Sequence, residues 1–226
     1  MSFQPPTGTL PPSPRRPSRR KVARPGELLA AALDLFVEKG FAATRVEAVA
    51  RHAGVSKGTL FIYFPSKEEL FKAVVRENIS GRFVEWRAEF ERYEGSTANL
   101  LRYCLNSWWK RIGSTQASGI TKLMMSEARN FPELAEFYRQ EVIQPGNELI
   151  QQVLQRGVDR GEFRPMDMRY GVYIVLAPIL FLAMWKHSLG CQTGDWQLVP
   201  EDYIALQVET LLHGLGNALA QPGSTI

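Results

Sequence analysis

The stretch RVEAVARHAGVSKGTLFIYF, residues 45–64, joins two short segments with apolar residues at helical spacing. Gly54 lies between them and predicts a tight turn. Ser56 is suited to cap the second helix, which should end before Pro65 because the residue preceding a proline avoids helical geometry. Helix, tight turn and helix in this order predict a helix-turn-helix unit.

Helical patterns flank this unit on both sides. Residues 26–39 carry apolar residues at helical spacing, and Gly40 follows them as the residue type that commonly ends a helix. Thr44 is predicted to cap the first helix of the unit. Ser66 is predicted to open a capping box for a fourth helix that continues to about Arg92.

The remainder of the chain is also predicted to be helical, because no convincing strand alternation occurs beyond residue 95. Its last two segments cover residues 168–189 and residues 200–220. We expect a smaller helical domain at residues 25–82, which contains the helix-turn-helix, and a larger one at residues 83–226.

The segment from Tyr170 to Trp185 has no charged residue in 16 positions, which leaves a membrane span open as an alternative. A span needs about 20 apolar residues, whereas this run is bounded by Arg169 and Lys186 and contains Pro178. We favour a helix that is buried between subunits.

The final helix supports a subunit interface, because its apolar residues form one edge. Two such edges, one from each of two chains, would make a four-helix interface. The predicted interface residues are Ile204, Val208, Leu211, Leu212, Leu215 and Leu219.

Residues 1–24 are predicted to form a disordered, basic, proline-rich arm. Seven of the fourteen prolines lie in the first 25 residues, and six Lys and Arg lie within residues 15–24. The arm has no apolar stretch of the kind found in signal peptides, so we do not expect one. It is either a solvated tail or a segment that lies on DNA phosphates or in a minor groove.

Charge is unevenly distributed along the chain. Residues 1–80 carry a net charge of +6 and residues 81–226 a net charge of −2, which favours a polyanionic partner for the first part. Cys104 and Cys191 lie far apart and match no metal-ligand spacing. We therefore expect no disulfide framework, no metal site, and a cytoplasmic location at the nucleoid.

A helix-turn-helix presents the amino-terminal residues of its second helix to base edges in the major groove of DNA. Gly58 would let the helix backbone approach DNA closely, although glycine is about 1 kcal/mol less favourable than alanine within a helix. Tyr63 and Lys67 are placed to reach phosphates, the latter beside a helix N-terminus. The predicted outward face comprises Ser56, Lys57, Gly58, Thr59 and Ile62.

Residues 26–71, GELLAAALDLFVEKGFAATRVEAVARHAGVSKGTLFIYFPSKEELF, closely resemble the amino-terminal DNA-binding domain of the TetR family of bacterial transcriptional regulators. The resemblance implies that Thr44 and Arg45 hold phosphates at the start of the second helix. Phe61 departs from the family pattern, since many members carry a tyrosine there. The usual contact positions are filled by Lys57, Thr59, Tyr63 and Lys67.

The stretches MSEARNFPELAEFY, residues 125–138, and RGVDRGEFRPMD, residues 156–167, look like the regulatory domains of family members grouped with multidrug-pump repressors. Such proteins are homodimers whose last two helices pair and whose central helices enclose a small-molecule pocket. The resemblance thus implies an all-α chain with a three-helix DNA-binding domain and a helical ligand-binding and dimerisation domain. The candidate pocket residues are Trp108, Trp109, Met124, Met125, Glu127, Phe137, Tyr173, Phe181, Trp185 and His187.

The function that these patterns favour is a ligand-responsive repressor. It would bind a pseudo-palindromic DNA operator as a homodimer and be released by a small apolar effector. A DNA-binding regulator or architectural protein without an effector remains the alternative. An enzyme is disfavoured because His52, His187 and His213 have no triad or ligand spacing and no phosphate-binding glycine loop is present. We expect no catalytic residue and no cofactor.

Overall fold

The computed structural model describes residues 25–190 and 198–216, so the basic arm and the predicted interface residue Leu219 lie outside the described residues. Within these two ranges every regular element is helical, which confirms the all-α prediction. The α-helices are α1 (Pro25–Ala43), α2 (Val46–His52), α3 (Lys57–Tyr63), α4 (Lys67–Asn78), α5 (Phe83–Glu91), α6 (Thr97–Trp108), α7 (Gly119–Glu127), α8 (Pro132–Tyr138), α9 (Gln144–Asp159), α10 (Met168–Lys186) and α11 (Pro200–Leu215). Short 3-10 or π turns lie between some of them, at Ser80–Arg82, Trp109–Gly113, Gln116–Ser118 and Arg139–Ile143.

Helices α2 and α3 form the helix-turn-helix that the sequence predicts. Gly54 lies between them with a φ of 72°, a left-handed conformation that glycine adopts without strain. The Ser56 hydroxyl accepts a hydrogen bond from the Thr59 backbone N–H at 3.1 Å and caps α3. Leu60 is fully buried and anchors α3 in the core. The predicted turn and cap are therefore confirmed.

The carboxyl end of α1 is broken at Gly40, as the sequence predicts. Gly40 has a φ of 82° and a ψ of 168°, far from helical values. The prediction that Thr44 caps α2 is wrong, because its hydroxyl points inward, 2.6 Å from the Gly40 carbonyl oxygen and 3.0 Å from that of Leu35. Arg45 occupies the cap position of α2 without a side-chain hydrogen bond.

Helix α4 is shorter than predicted. It ends at Asn78, and the chain passes through a 3-10 turn before α5 begins at Phe83, so the expected continuous helix to Arg92 is wrong. A Cβ at Gly81 would lie 2.7 Å from the Arg76 carbonyl oxygen. The glycine therefore permits the close return of the chain that separates α4 from α5.

Buried packing continues across the predicted domain boundary at residues 82 and 83. The first core cluster joins α1–α4 to α7 and α8. The Phe41 ring lies 5.6 Å from that of Phe36 and 5.4 Å from that of Phe71 within the helix-turn-helix region, and 4.7 Å from the Phe131 ring beyond the boundary. A second cluster joins α6, α9, α10 and α11. The helix-turn-helix domain thus shares its core with the larger domain.

The predicted interface edge of α11 packs within its own chain. Ile204 and Val208 are buried against the second core cluster, as are Leu211 and Leu215. Leu212 is half-buried beside the same cluster. For Ile204, Val208, Leu211 and Leu215 the interface prediction is wrong, because packing within the same protomer, including contacts with α6 and α10, already covers these side chains. For Leu212 and Leu219 it stays a prediction.

A different apolar face is exposed. On α10, Ile174 is 60% exposed and Phe181 is 43% exposed, one helical heptad apart, and Leu206 of α11 is 64% exposed. By length and composition alone α10 could also cross a membrane. Its other face packs on α7, α9 and α11, however, and its terminal Lys186 ammonium donates to the Ser114 carbonyl at 2.6 Å.

Two glycines make a matched test of this backbone. Gly40→Ala should lower the free energy of unfolding by about 1–3 kcal/mol, because its positive φ is strained for an L-residue. In addition, a Cβ there would lie 2.4 Å from Glu127 Oε1. Gly58→Ala should raise the free energy of unfolding by up to about 1 kcal/mol, because a helical site with open space favours alanine. Urea unfolding followed by circular dichroism at one chain concentration measures both. Equal changes in the free energy of unfolding for the two variants would contradict the assignment of a strained backbone to Gly40 and of an ordinary helical backbone to Gly58.

Candidate nucleic-acid interface and internal cavity

The amino-terminal part of α3 forms an exposed surface. Ser56, Lys57 and Gly58 are exposed, and Thr59 is half-buried with its hydroxyl 2.8 Å from that of Ser56. Ile62 is 80% exposed, an unusual position for a large aliphatic side chain. Tyr63, at 38% exposure, and Arg45 at the start of α2 flank this surface. The structure therefore brings most of the predicted DNA-contact residues to one side of the molecule.

A carboxylate that the sequence interpretation missed lies in this surface. Glu47 of α2 accepts from the Lys57 ammonium at 2.5 Å, and this hydrogen bond lowers the pKa of the carboxyl group. The Lys57 nitrogen also lies 5.5 Å from the centre of the Phe61 ring. Both partners of the ion pair are about half exposed. Lys57 is thus partly neutralised by the first helix of its own helix-turn-helix.

Lys67 has an internal role that the sequence did not indicate. Its ammonium donates to the backbone carbonyls of Phe41 at 2.8 Å, Ala42 at 3.3 Å and Thr44 at 3.2 Å. The nitrogen also lies 4.3 Å from the centre of the Phe41 ring. A lysine has three N–H donors, and all three are engaged within the chain. The predicted phosphate contact of Lys67 is therefore not supported by the geometry.

Thr44, like Lys67, is bonded to backbone carbonyls within the chain, so its side chain does not reach the surface. Thr44 is only 2% exposed, and its hydroxyl bonds to the end of α1. At the start of α2 the exposed cationic side chain is that of Arg45, so the implied pair of phosphate contacts is reduced to one.

Glu127, a predicted ligand residue, binds the helix-turn-helix domain instead of a cavity. Its two carboxylate oxygens accept hydrogen bonds from the backbone N–H groups of Phe41 at 2.9 Å and Ala42 at 3.0 Å. The carboxyl end of α7 is thereby connected to the turn before α2. No local pattern in the sequence could indicate this contact, because 86 positions separate Glu127 from Phe41.

A cavity of about 520 Å³ lies in the larger domain, and Ile79, directly after α4, also contributes to its wall. Its volume falls in the range of small-molecule pockets. Within residues 25–190 and 198–216, no Asp, Glu, Lys, Arg or His side chain lines this cavity, and its wall is mostly apolar. It is lined by Ile79, Phe83, Trp86, Phe90, Cys104, Leu105, Ser107, Trp108, Ile112, Thr121, Met124, Met125, Ala128, Ala135, Tyr138, Val142, Ile143, Gly146, Asn147, Leu149, Ile150, Tyr173, Leu176, Ala177, Ile179, Leu180 and Met184.

Four of the ten predicted pocket residues line this cavity: Trp108, Met124, Met125 and Tyr173. Met125 and Tyr173 are exposed and mark its opening. The polar groups of the interior are few. The Tyr138 hydroxyl lies 3.2 Å from that of Thr121, and burial raises the pKa of Tyr138 to about 12. Tyr138 is therefore a neutral hydrogen-bonding group at any physiological pH.

The other predicted pocket residues lie elsewhere, so those predictions are wrong. Trp109 is buried in the second core cluster, and the Phe137 ring packs 5.0 Å from the Arg76 guanidinium. Phe181 and Trp185 lie 5.8 Å apart on α10. The His187 ring nitrogen Nε2 lies 2.8 Å from the Ser118 hydroxyl, and burial is the main cause that lowers its pKa to about 4.

The cavity residues of α5 were missed in the sequence. Phe83, Trp86 and Phe90 follow helical spacing on one face of α5 and all reach the cavity. Their helical spacing is visible in the sequence, but the prediction of one helix from Ser66 to Arg92 placed these rings on the same helix as residues 67–78. The break near Gly81 puts them on a separate helix, α5.

The chain is a helix-turn-helix DNA-binding transcriptional regulator. The model for bacterial regulatory proteins of the tetR family matches residues 28–74, and that for the tetracyclin repressor-like C-terminal domain matches residues 93–189. These matches cover more than half of the chain, which therefore belongs to the TetR family.

Curated relatives support the family over most of the chain. The transcriptional repressor KstR2 of Mycobacterium tuberculosis is 30% identical over 191 residues, which cover 81% of this chain and 90% of that protein. The transcriptional regulator RutR of Escherichia coli is 25% identical over 191 residues, covering 78% and 82% of the two chains.

Solved structures show the same fold. The fatty acid degradation regulator FadR of Bacillus halodurans has a TM-score of 0.66 at 23% identity, covering 87% of this chain and 96% of that chain. FadR of Bacillus subtilis in complex with stearoyl-CoA has a TM-score of 0.60 at 18% identity, covering 85% and 100%.

The Lys57–Glu47 pair can be tested directly on DNA. Glu47→Gln should tighten binding to a random-sequence duplex, because it removes the carboxylate that competes with DNA phosphates for the Lys57 ammonium. Lys57→Ala should weaken binding. Fluorescence anisotropy over a salt series measures both. The control is Glu201→Gln on α11, which makes the same change in net charge. Equal tightening by the control would contradict a local effect.

Proposed function

We propose that this protein is a cytoplasmic, nucleoid-associated repressor that binds a pseudo-palindromic operator as a homodimer and leaves it when a small uncharged effector enters the cavity. The observation that carries the proposal is the cavity wall, which is built largely from helices, includes residues of α7, and contains no charged side chain among the residues that the structure describes. Because α7 also bonds to the turn before α2, the cavity and the DNA surface share one structural element.

On the DNA side, Arg45 and Tyr63 flank α3 and are proposed to contact phosphates. Lys57 would exchange Glu47 for a phosphate oxygen when DNA binds. Gly58 leaves open space above the helix, since a Cβ there would meet nothing closer than 3.8 Å. The exposed Ile62 side chain suits contact with a thymine methyl group. Ser56 and Thr59 complete the surface that faces the major groove.

On the effector side, the polar groups of the wall favour a ligand with a neutral oxygen acceptor. Tyr138 and Thr121 share one hydrogen bond, so one of their two hydroxyl hydrogens has no acceptor among the described residues. The indole N–H of Trp86, a lining residue, is also buried without a hydrogen-bond partner in the described part of the chain. An apolar compound with a carbonyl, ester or hydroxyl oxygen could satisfy such donors.

A long acyl chain is one compound class that fits these requirements. A similar fold, FadR of Bacillus subtilis, has been solved with stearoyl-CoA. In this chain a charged head group would have to remain at the opening between Met125, Ile143 and Tyr173, because burying an unpaired charge in an apolar wall is unfavourable.

The second candidate function is a DNA-binding regulator that responds to no effector. The exposed apolar face of α10 and α11 favours dimerisation for either candidate, so it does not separate them. The cavity separates the two candidate functions. Protein interiors are normally close-packed, so a domain that only dimerises has no use for a large apolar cavity next to α7.

A compound screen tests the effector proposal. A panel of neutral esters, ketones, alcohols and acyl-CoA esters of increasing chain length is added to the protein on a duplex that it selects from a random library. At least one compound should weaken DNA binding by about fivefold or more, which corresponds to about 1 kcal/mol or more of coupling between sites. No change with any compound would favour the regulator without an effector.

The matched variant for the screen is Tyr138→Phe, which removes only the hydroxyl. It should weaken the response to an oxygen-bearing compound by about 1 kcal/mol, the usual net value of a neutral hydrogen bond, and leave the response to a pure hydrocarbon unchanged. Equal weakening for both compounds would contradict the role of the hydroxyl.

The dimer surface has its own test. Ile174→Arg places a charge in the exposed apolar face of α10 and should convert the dimer to monomers, because an unpaired charge buried in an apolar interface is costly. Light scattering at several chain concentrations measures the change. Val84→Arg is the control, since Val84 is 78% exposed on α5 and lies outside this face. A persistent Ile174→Arg dimer would move the interface to another surface.

A further inference from the structure

We propose that Glu127 is the positioning residue that transmits occupancy of the cavity to the helix-turn-helix, through the turn formed by residues 40–44. This inference rests on the proposed effector response. It assigns the connection between the two sites to one side chain and to the segment that directly precedes α2, rather than to α4.

The regular geometry of α1 is interrupted at the start of the turn. Gly40 leaves helical geometry with a φ of 82° and a ψ of 168°, and the Thr44 hydroxyl bonds to the carbonyls of Gly40 and Leu35. The Glu127 carboxylate accepts from the N–H groups of Phe41 and Ala42, which follow the interruption directly. Hydrogen bonds to a carboxylate are stronger than those between neutral groups. The larger domain therefore supplies the acceptors for these two N–H groups.

Glycine at position 40 is needed for this approach as well as for its dihedral angles. A Cβ on Gly40 would lie 2.4 Å from Glu127 Oε1, closer than any real contact. The bare backbone thus provides the space in which the carboxylate binds. The glycine and the glutamate form one arrangement, contributed by two regions of the chain that are 87 positions apart.

Two opposite charges hold the turn from opposite sides of its peptide groups. Glu127 binds the N–H groups, and the Lys67 ammonium binds the carbonyls of Phe41, Ala42 and Thr44. Lys67 belongs to the helix-turn-helix region and moves with it. Of the two charges, only Glu127 comes from the domain that contains the cavity. It is therefore the partner that an effector can displace.

Helix α7 connects the carboxylate to the cavity. Thr121, Met124 and Met125 on α7, and Ala128 directly after it, line the cavity wall. Glu127 lies between two of these positions in sequence. A short helix moves as a unit when its side chains are displaced, so a compound that pushes on this wall also moves the carboxylate at the end of α7.

The consequence at the DNA surface follows from the order of the chain. Arg45 follows the turn at once and begins α2, and α2 packs against α3. Loss of the Glu127 bonds should loosen the turn and shift α2 and α3 relative to α1. The proposed transmission thus requires two states of the turn, one bonded to Glu127 and one released, as a switching element does.

A second contact between the two regions provides a comparison. The Arg76 guanidinium of α4 donates to both oxygens of Glu141 at 3.0 and 3.1 Å from Nε, and Val142 and Ile143 beside it line the cavity. This pair reaches α4 after the helix-turn-helix has ended. Glu127 instead reaches the residues directly before it, which is why we assign the transmission to Glu127.

The experiment measures transmission in the reverse direction, because coupling between two binding sites is reciprocal. Amide hydrogen exchange is followed in the full-length wild-type chain with and without a duplex that this chain has selected from a random library. DNA should slow exchange at residues 41–52 and also at α7. In Glu127→Ala the slowing at α7 should disappear, and DNA affinity should fall by about fivefold or more, the lower range of typical coupling.

Three variants make the result specific. Glu127→Gln keeps one acceptor oxygen and should give an intermediate loss. Glu133→Ala, an exposed acid in the first turn of α8, makes the same change in charge and should behave as wild type. Glu141→Ala breaks the other cross-domain pair and should retain slowed exchange at α7.

Unchanged slowing at α7 in Glu127→Ala would overturn the proposal, and so would an equal loss in Glu141→Ala. The measurement uses no effector. A screen in which every compound fails therefore leaves its outcome unaffected, and failure of the effector proposal can be distinguished from failure of this one.

Discussion

The backbone of Phe41 is bound by two opposite charges, and much of the molecule depends on this arrangement. Glu127 holds its N–H group, Lys67 holds its carbonyl group, and its ring lies 5.4 Å from that of Phe71 and 4.7 Å from that of Phe131. One residue thus joins α1, α4 and the end of α7. Because charged hydrogen bonds and buried aromatic contacts act together there, the two domains behave as one packed body at this point.

Local signals made the helix-turn-helix predictable from sequence. Gly54 forms the turn through its own backbone, and Ser56 caps α3 through a residue three positions away. Both features therefore depend only on residues that are close together in the sequence. Thr44 shows the limit of such reasoning. A threonine before a helix is a sound cap by propensity, but the break at Gly40 offered its hydroxyl a carbonyl acceptor inside the domain.

From the sequence, the apolar and sulfur-containing character of the cavity wall could be predicted, but most of the individual residues that form it could not. Met124 and Trp108 were recognised because aromatic and sulfur-containing side chains favour adaptable interiors. Phe137 and Trp109 have the same chemistry, yet they fill the core. Periodicity places a residue on the inner face of a helix, but only the packing of several helices decides whether that face meets a neighbour or an open space. Glu127 was misassigned for the same reason, since its partners are distant in sequence.

The ion pair between Lys57 and Glu47 has a consequence for how the protein searches a chromosome. In the proposed DNA complex the Glu47 carboxylate competes with a phosphate for Lys57, so any duplex must first displace this carboxylate. A random site provides phosphate contacts but few favourable base contacts to offset this displacement, whereas an operator adds base contacts from the rest of α3. We expect residence times on random sequence to be short and sliding to be fast, while the bound time on the operator is set by the bases.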